Sequence, residues 1–124
     1  MYRSMMQVYV KDSASALEFY QKAFGAAVLV DFRNENDTVA HAELDIFGQV
    51  FAICETDKDE VITGNSMQFC LHFGSDEQDK VSKAYGILTQ GTVMIDHPLG
   101  PCAYSPHMAS FMDRFGVYWC IFAN

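Results

Sequence analysis

Side-chain character near the N-terminus alternates with a period of two. Met6, Val8 and Val10 fall on one parity, and Met5, Gln7 and Tyr9 on the other. That two-residue period predicts a strand. In SASALEFYQKAFG the period changes: Ala16, Leu17, Tyr20, Ala23 and Phe24 recur at helical spacing. Asp12 or Ser13 can cap the start of this helix, and Gly25 suits a left-handed stop. A strand AAVLVDF follows. After a turn at NEND, a hairpin runs from TVAHAELDI to QVFAICE with Phe47-Gly48 at its tip. The order is β-α-β-β-β.

The polar segment TDKDEVITGNS, residues 56–66, reads as a linker, and the same order then repeats. MQFCLHF is a strand. SDEQDKVSKAYGILTQG is a helix with Val81, Ala84, Tyr85 and Leu88 on one face, Ser75 and Gln78 as a capping box and Gly91 as its stop. TVMID matches the earlier AVLVD. The chain ends in a hairpin, HMASFMD to VYWCIFAN, with Phe115-Gly116 at the tip. The two hairpins share a template, DIFGQVFAI and DRFGVYWCI. An internal repeat of this size predicts two similar units, residues 1–58 and 64–124, within one α+β domain. Pro98, Pro101 and Pro106 all fall in HPLGPCAYSPH. That stretch is expected to be one long loop, either a pocket wall or lid or a stiff connector.

Composition narrows the function classes. The chain has 124 residues, half of them hydrophobic, so a packed core is expected. Sixteen acidic against eight basic residues give a net charge of −8, which argues against nucleic acid and anionic membranes as partners. No apolar run approaches a membrane span, and the N-terminus lacks a signal-peptide core, so a soluble cytoplasmic protein is expected. Cys54, Cys70, Cys102 and Cys120 form no C-x-x-C pair, consistent with free thiols in a reducing compartment.

A doubled β-α-β-β-β module carrying EFYQKAFGA, HAELDI and DRFGVYW resembles the vicinal oxygen chelate superfamily of glyoxalase I, extradiol dioxygenases and fosfomycin- and bleomycin-resistance proteins. The local wording is similar to its PhnB-like branch, also labelled demethylubiquinone methyltransferase-like. The resemblance implies two curled, four-stranded mixed sheets around a cup, each with its helix on the convex side. It also implies a homodimer, and for the enzymes of the family one divalent metal held by His, Glu or Gln on the first and last strand of each module.

Residue by residue, those ligand positions fall on Met5 (or Gln7), Ala52, Gln68 and Cys120. Such a set lacks the His and carboxylate donors that a hard divalent ion needs. The expectation is therefore a protein with no metal and no cofactor. Its cup would bind a small, partly apolar molecule, with Tyr9, His41, Glu43, Gln68, Cys70, His72, Tyr118 and Cys120 as pocket candidates. Two alternatives stay open. One is a metal-dependent lyase, isomerase or dioxygenase-type enzyme with a rearranged site at His41, Glu43 and His72, the first two sharing a strand face by their i, i+2 spacing. The other is an interaction module with a filled cup. A nucleophile pair of Cys102 or Cys120 with His107 is conceivable in residue type, but nothing in the sequence places its members together.

Overall fold

A computed structural model of the chain describes residues 1–92 and 94–124. Val93, part of the expected TVMID strand, lies outside the described residues. The chain divides into two compact units, Met1–Ile62 and Thr63–Asn124. In the first, β1 (Met6–Val10), α1 (Ser13–Phe24), β2 (Ala27–Arg33), β3 (Val39–Ile46) and β4 (Gln49–Glu55) follow one another. The sheet order is β1-β4-β3-β2, with β1 parallel to β4 and the other pairs antiparallel. In the second, β5 (Phe69–Phe73), a 3-10 turn at Ser75–Glu77, α2 (Gln78–Leu88), β6 (Met94–Cys102), β7 (Ser105–Met112) and β8 (Tyr118–Ala123) build the sheet β5-β8-β7-β6, with β5 parallel to β8. The doubled β-α-β-β-β order and the mixed four-stranded sheets are those the repeat implied.

Each helix buries its apolar stripe on one face of its own sheet. Ala16, Leu17, Tyr20, Ala23 and Phe24 are buried against β3 and β4, where the Tyr20 ring meets Phe51 edge-on at 5.0 Å. Val81, Ala84 and Leu88 do the same against β7 and β8. One sheet face is thereby covered, and the alternate residues of every strand are left on a helix-free face.

The helix ends differ from the sequence expectation. Asp12 adopts φ 58° and its side chain caps nothing. The start of α1 is instead fixed from β4. Glu55 Oε1 accepts from Ser13 N at 3.0 Å and from Ser13 Oγ at 2.7 Å, and Ser13 Oγ accepts from Val39 N at 2.8 Å. Ser13 is fully buried, so this triangle ties helix start, β3 start and β4 end into one satisfied polar knot. The Ser75–Gln78 box is replaced by Glu77, whose Oε1 accepts from Gly74 N at 3.1 Å. Gly25 closes α1 at φ 58°, its N–H on Gln21 O, as expected.

The proline-rich stretch is not a loop. It is the edge strand β6, which runs through Pro98 and Pro101 with three register shifts, joined to β7 by a turn at Ala103 and Tyr104. An edge strand has one unpaired side, so the missing proline N–H groups cost no ladder bond there, and bulges absorb the remaining mismatch.

The repeated hairpin word also folds in two ways. In the first unit Ile46 pairs with Gln49, leaving a two-residue turn in which Phe47 (φ 51°) and Gly48 (φ 93°) are both left-handed. Asp45 Oδ1 accepts from Gly48 N at 2.7 Å. In the second, Met112 pairs with Tyr118, and Asp113 N donates to Val117 O, so three residues turn instead of two. Asp113 is fully buried; its carboxylate accepts from Phe115 N, Val117 N and Trp119 Nε1 at 2.8, 3.1 and 2.8 Å.

Asp113→Ala removes the acceptor for these donors and should cost about 2–4 kcal/mol, read by urea unfolding with the fluorescence of the sole tryptophan, Trp119. Gly86, exposed inside α2 with open space where a Cβ would stand, marks the opposite case. Gly86→Ala should add about 0.5–1 kcal/mol in the same assay.

Candidate functional site

The helix-free face of the first sheet follows from register. β1 places Gln7 beside Ala52 and Tyr9 beside Cys54, while β3 places Glu43 opposite Ala52. His41, two residues before Glu43, then falls opposite Cys54. β2 adds Val30 beside Glu43 and Phe32 beside His41. Tyr9 and Phe32 are exposed aromatic rings, whereas Ala52 is fully covered.

At the centre of this face sits Glu43, only 4% exposed. Arg3, from the segment before β1, grips it with two parallel bonds: Nη1 to Oε1 at 2.7 Å and Nη2 to Oε2 at 3.0 Å. His41 Nε2 approaches Oε2 at 2.8 Å. The guanidinium first, and the imidazole second, hold the Glu43 carboxyl at a pKa of about 2, well below its ordinary 4.5. The other ring nitrogen of His41, Nδ1, lies 3.6 Å from Cys54 Sγ. Cys54 is 6% exposed, and burial pushes its thiol pKa up.

The second unit carries its own polar array on the corresponding face. Gln68 Nε2 donates to Ser110 Oγ at 2.9 Å and to Trp119 O at 3.2 Å. Ser110 Oγ donates to Asp96 Oδ2 at 3.3 Å, and the Tyr118 hydroxyl donates to the same oxygen. Cys70 and Cys120 are registered neighbours on β5 and β8. Tyr104 Oη lies 3.9 Å from Cys120 Sγ, and burial above all raises that thiol's pKa to about 11. His72 Nε2 meets Asn124 Oδ1 at 2.6 Å while its ring stacks on Phe122 at 4.3 Å. Phe69 and Phe73 are buried, and Cys70 and His72, on the opposite parity, are exposed.

The structure thus gathers Tyr9, His41 and Glu43 on one helix-free face, and Gln68, Cys70, His72, Tyr118 and Cys120 on the other. His107 turns to the helix side, where Nε2 meets Ser82 Oγ at 2.7 Å, and it makes no cysteine contact among its described hydrogen bonds. Sequence reasoning missed Arg3 and Cys54. Arg3 lies outside every regular element and gives no periodic signal. Cys54 was legible: a two-residue turn at Phe47-Gly48 dictates that the residue six before Phe47 faces the residue six after Gly48.

A cavity of about 850 Å3 opens beside Tyr9 in the first unit. Ala40, Val61 and Ile62 supply apolar walls; Glu55, Asp57 and Glu60 outnumber the one basic side chain, Lys58.

The residues at the metal-ligand positions implied by the fold do not fit a hard divalent ion. Ala52 has no side-chain donor atom, Met5 and Cys120 offer only sulfur, and Gln68 (with Gln7 if it stands for Met5) offers one neutral amide oxygen, with no carboxylate or imidazole in the set. His41, Glu43 and Cys54 form a line rather than a cage, because His41 spends one ring nitrogen on each neighbour. Among the described residues no group of three or more His, Cys, Asp or Glu side chains could hold a metal ion.

With its carboxyl depressed from 4.5 to about 2, Glu43 contributes stability fully above pH 4.5 and loses it as pH falls toward 2. Glu43→Gln should cost about 1–2 kcal/mol at pH 7, given the half-exposed Arg3 partner. The gap to the parent should close between pH 4.5 and 2, measured by urea unfolding at stepped pH. A gap that persists at pH 2 would contradict the assignment.

Residues 4–121 match the sequence profile of the Glyoxalase/Bleomycin resistance protein/Dioxygenase superfamily. No curated protein matches the chain in sequence. In structure it is similar to the PhnB protein of Bacillus cereus, with TM-score 0.81, 19% identity and coverage of 98% of this chain and 99% of that one. It is also similar to TioX of Micromonospora sp. ML1, with TM-score 0.64, 19% identity and 98% of each chain covered. A third similar structure is the fosfomycin resistance protein FosX of Listeria monocytogenes, complexed with Mn(II) and a sulfate ion, with TM-score 0.67, 21% identity and coverage of 98% of this chain and 89% of that one. At these identities the structural likeness speaks to fold alone, and the profile match over nearly the whole length carries the membership. The chain belongs to the Glyoxalase/Bleomycin resistance protein/Dioxygenase superfamily.

Proposed function

We propose that this protein binds a small, partly apolar organic cation without a divalent metal. The observation that carries the reading is the donor chemistry of the two helix-free faces. Ala52 and Cys120 stand at positions that the family resemblance assigns to metal ligands, and Glu43 is engaged on both oxygens by Arg3 and His41. What the faces offer instead is recognition surface: the exposed rings of Tyr9 and Phe32 on the first unit and, separately, that of Tyr104 on the second. The cavity beside Tyr9 supports the same reading. Its volume of about 850 Å3 falls within the roughly 300–1,000 Å3 of small-molecule sites, and its acidic lining favours a cationic group. A flat aromatic cation satisfies both, with a ring against Tyr9 and positive charge toward Glu55, Asp57 and Glu60.

We also propose a homodimer. Both sheets end in edge strands whose pairing groups need cover, and Val28, Leu29 and Phe32 expose apolar surface along the edge strand β2.

The binding reading is tested by a thermal-shift screen of aromatic and aliphatic ammonium compounds against the metal-free protein. A binder from the aromatic cations should raise Tm in a concentration-dependent way. Tyr9→Ala should weaken that binder by about tenfold, the loss of one ring contact. No binder across the set, or one indifferent to Tyr9→Ala, would overturn the assignment. Light scattering should give about 27.8 kDa, twice the chain's 13.9 kDa; the single-chain mass at micromolar concentration would refute the dimer.

A further inference from the structure

We infer that Cys54, His41 and Glu43 form a nucleophilic thiol site that adds to small α,β-unsaturated carbonyl compounds. The inference stands on the first unit alone and does not require the cationic ligand proposed above.

The geometry is a directed relay. Arg3 fixes Glu43 by two bonds, at 2.7 and 3.0 Å. Glu43 Oε2 accepts the Nε2–H of His41 at 2.8 Å, and an ionised carboxylate can only accept. This selects the tautomer with its proton on Nε2 and leaves the Nδ1 lone pair facing Cys54 Sγ at 3.6 Å, within the range of a thiol hydrogen bond. Nucleophile, base and orienting acid thus stand in the order that activated nucleophiles require, the base reaching the thiol while a third group holds the base. His41 is half-exposed, so the relay meets solvent at its middle member. Tyr9, the registered neighbour of Cys54 on β1, also lines the cavity of about 850 Å3.

Burial keeps the resting group a neutral thiol. The proton must therefore leave as the new bond forms, which is the task of a general base. In the step, the sulfur electron pair forms a bond to the β-carbon of the acceptor. The π pair of the carbon–carbon double bond shifts toward the α-carbon and carbonyl oxygen as an enolate, and the thiol proton moves to His41 Nδ1. The resulting imidazolium, held by Glu43, returns that proton to the α-carbon. The product is a thioether, every atom of thiol and acceptor is retained, and no oxidant or co-reactant enters. Conjugate addition suits these groups because one imidazole both takes and returns the proton.

The test uses N-ethylmaleimide, itself an α,β-unsaturated carbonyl compound, on the full folded chain at pH 7. Alkylation rates at Cys54, Cys70, Cys102 and Cys120 are read separately by peptide mass spectrometry. Cys54 should react at least as fast as exposed Cys70 although it is almost fully covered. His41→Ala should slow Cys54 at least tenfold and leave the other three rates unchanged, and free imidazole should restore part of the loss, which a packing defect would not permit. His41→Gln, which retains a donor toward Glu43 but has no base, should be as slow as His41→Ala. If His41→Ala loosens the fold, all four cysteines accelerate together, and His41→Gln then decides. A parent protein whose Cys54 stays unmodified while Cys70 labels to completion would overturn the inference. So would His41 variants with an unchanged Cys54 rate in a folded chain.

Discussion

The two-residue turn at Phe47-Gly48 sets the register on which the first unit depends. Because Ile46 pairs with Gln49, each further step along the hairpin is determined: Leu44 meets Phe51, Glu43 meets Ala52, Ala42 meets Ile53. One parity delivers Leu44, Ile46, Phe51 and Ile53 to the core beneath α1, all of them almost completely buried. The other delivers Glu43 and His41 to the helix-free face, opposite Ala52 and Cys54. A slip of one residue would exchange the two sets, placing a carboxylate and an imidazole under the helix and four large apolar side chains on the helix-free face. Core packing and site chemistry are therefore two readings of one turn, and neither can be altered in register without the other.

The fold was legible because its signals are local and written twice. Alternation in MQVYV and FCLHF, helical spacing in ALEFYQKAF and the two D-x-F-G words each survive without tertiary context. Other features depend on partners far along the chain, and there the sequence was silent. The cap of α1 comes from Glu55, forty-two positions from Ser13, and no local pattern announces it. Pro98 and Pro101 argued for a loop, yet an edge strand tolerates them because its outer side needs no N–H. The matching hairpin words concealed a difference of one turn residue. That residue puts Asp45 on the helix-free face, whereas it aims Asp113 inward at the Trp119 indole. The candidate face was legible residue by residue, since strand parity alone separates Cys70 and His72 from Phe69 and Phe73. How those residues are used was not, because the fate of Glu43 depends on Arg3, which belongs to no regular element.

Glu43 shows why a carboxylate on the right face need not be a ligand. A metal site leaves its carboxylates in want of a cation, with a second shell that orients them but does not neutralise them. Here a guanidinium occupies both oxygens and an imidazole shares one of them. The charge is compensated inside the chain, and an incoming divalent ion would first have to displace a bidentate arginine. The superfamily fold is retained while the electrostatic demand of its central face is met by protein groups.

The most direct measurement of this account is a titration of the chelator-free protein with Mn(II), a hard oxygen-seeking ion, followed through the electron paramagnetic resonance signal of the free aquo ion. The account predicts that the signal tracks added Mn(II) through several equivalents, as it does in buffer alone. Loss of one equivalent of signal per chain, recovered in Glu43→Gln, would show that the carboxylate serves a metal after all and would contradict it.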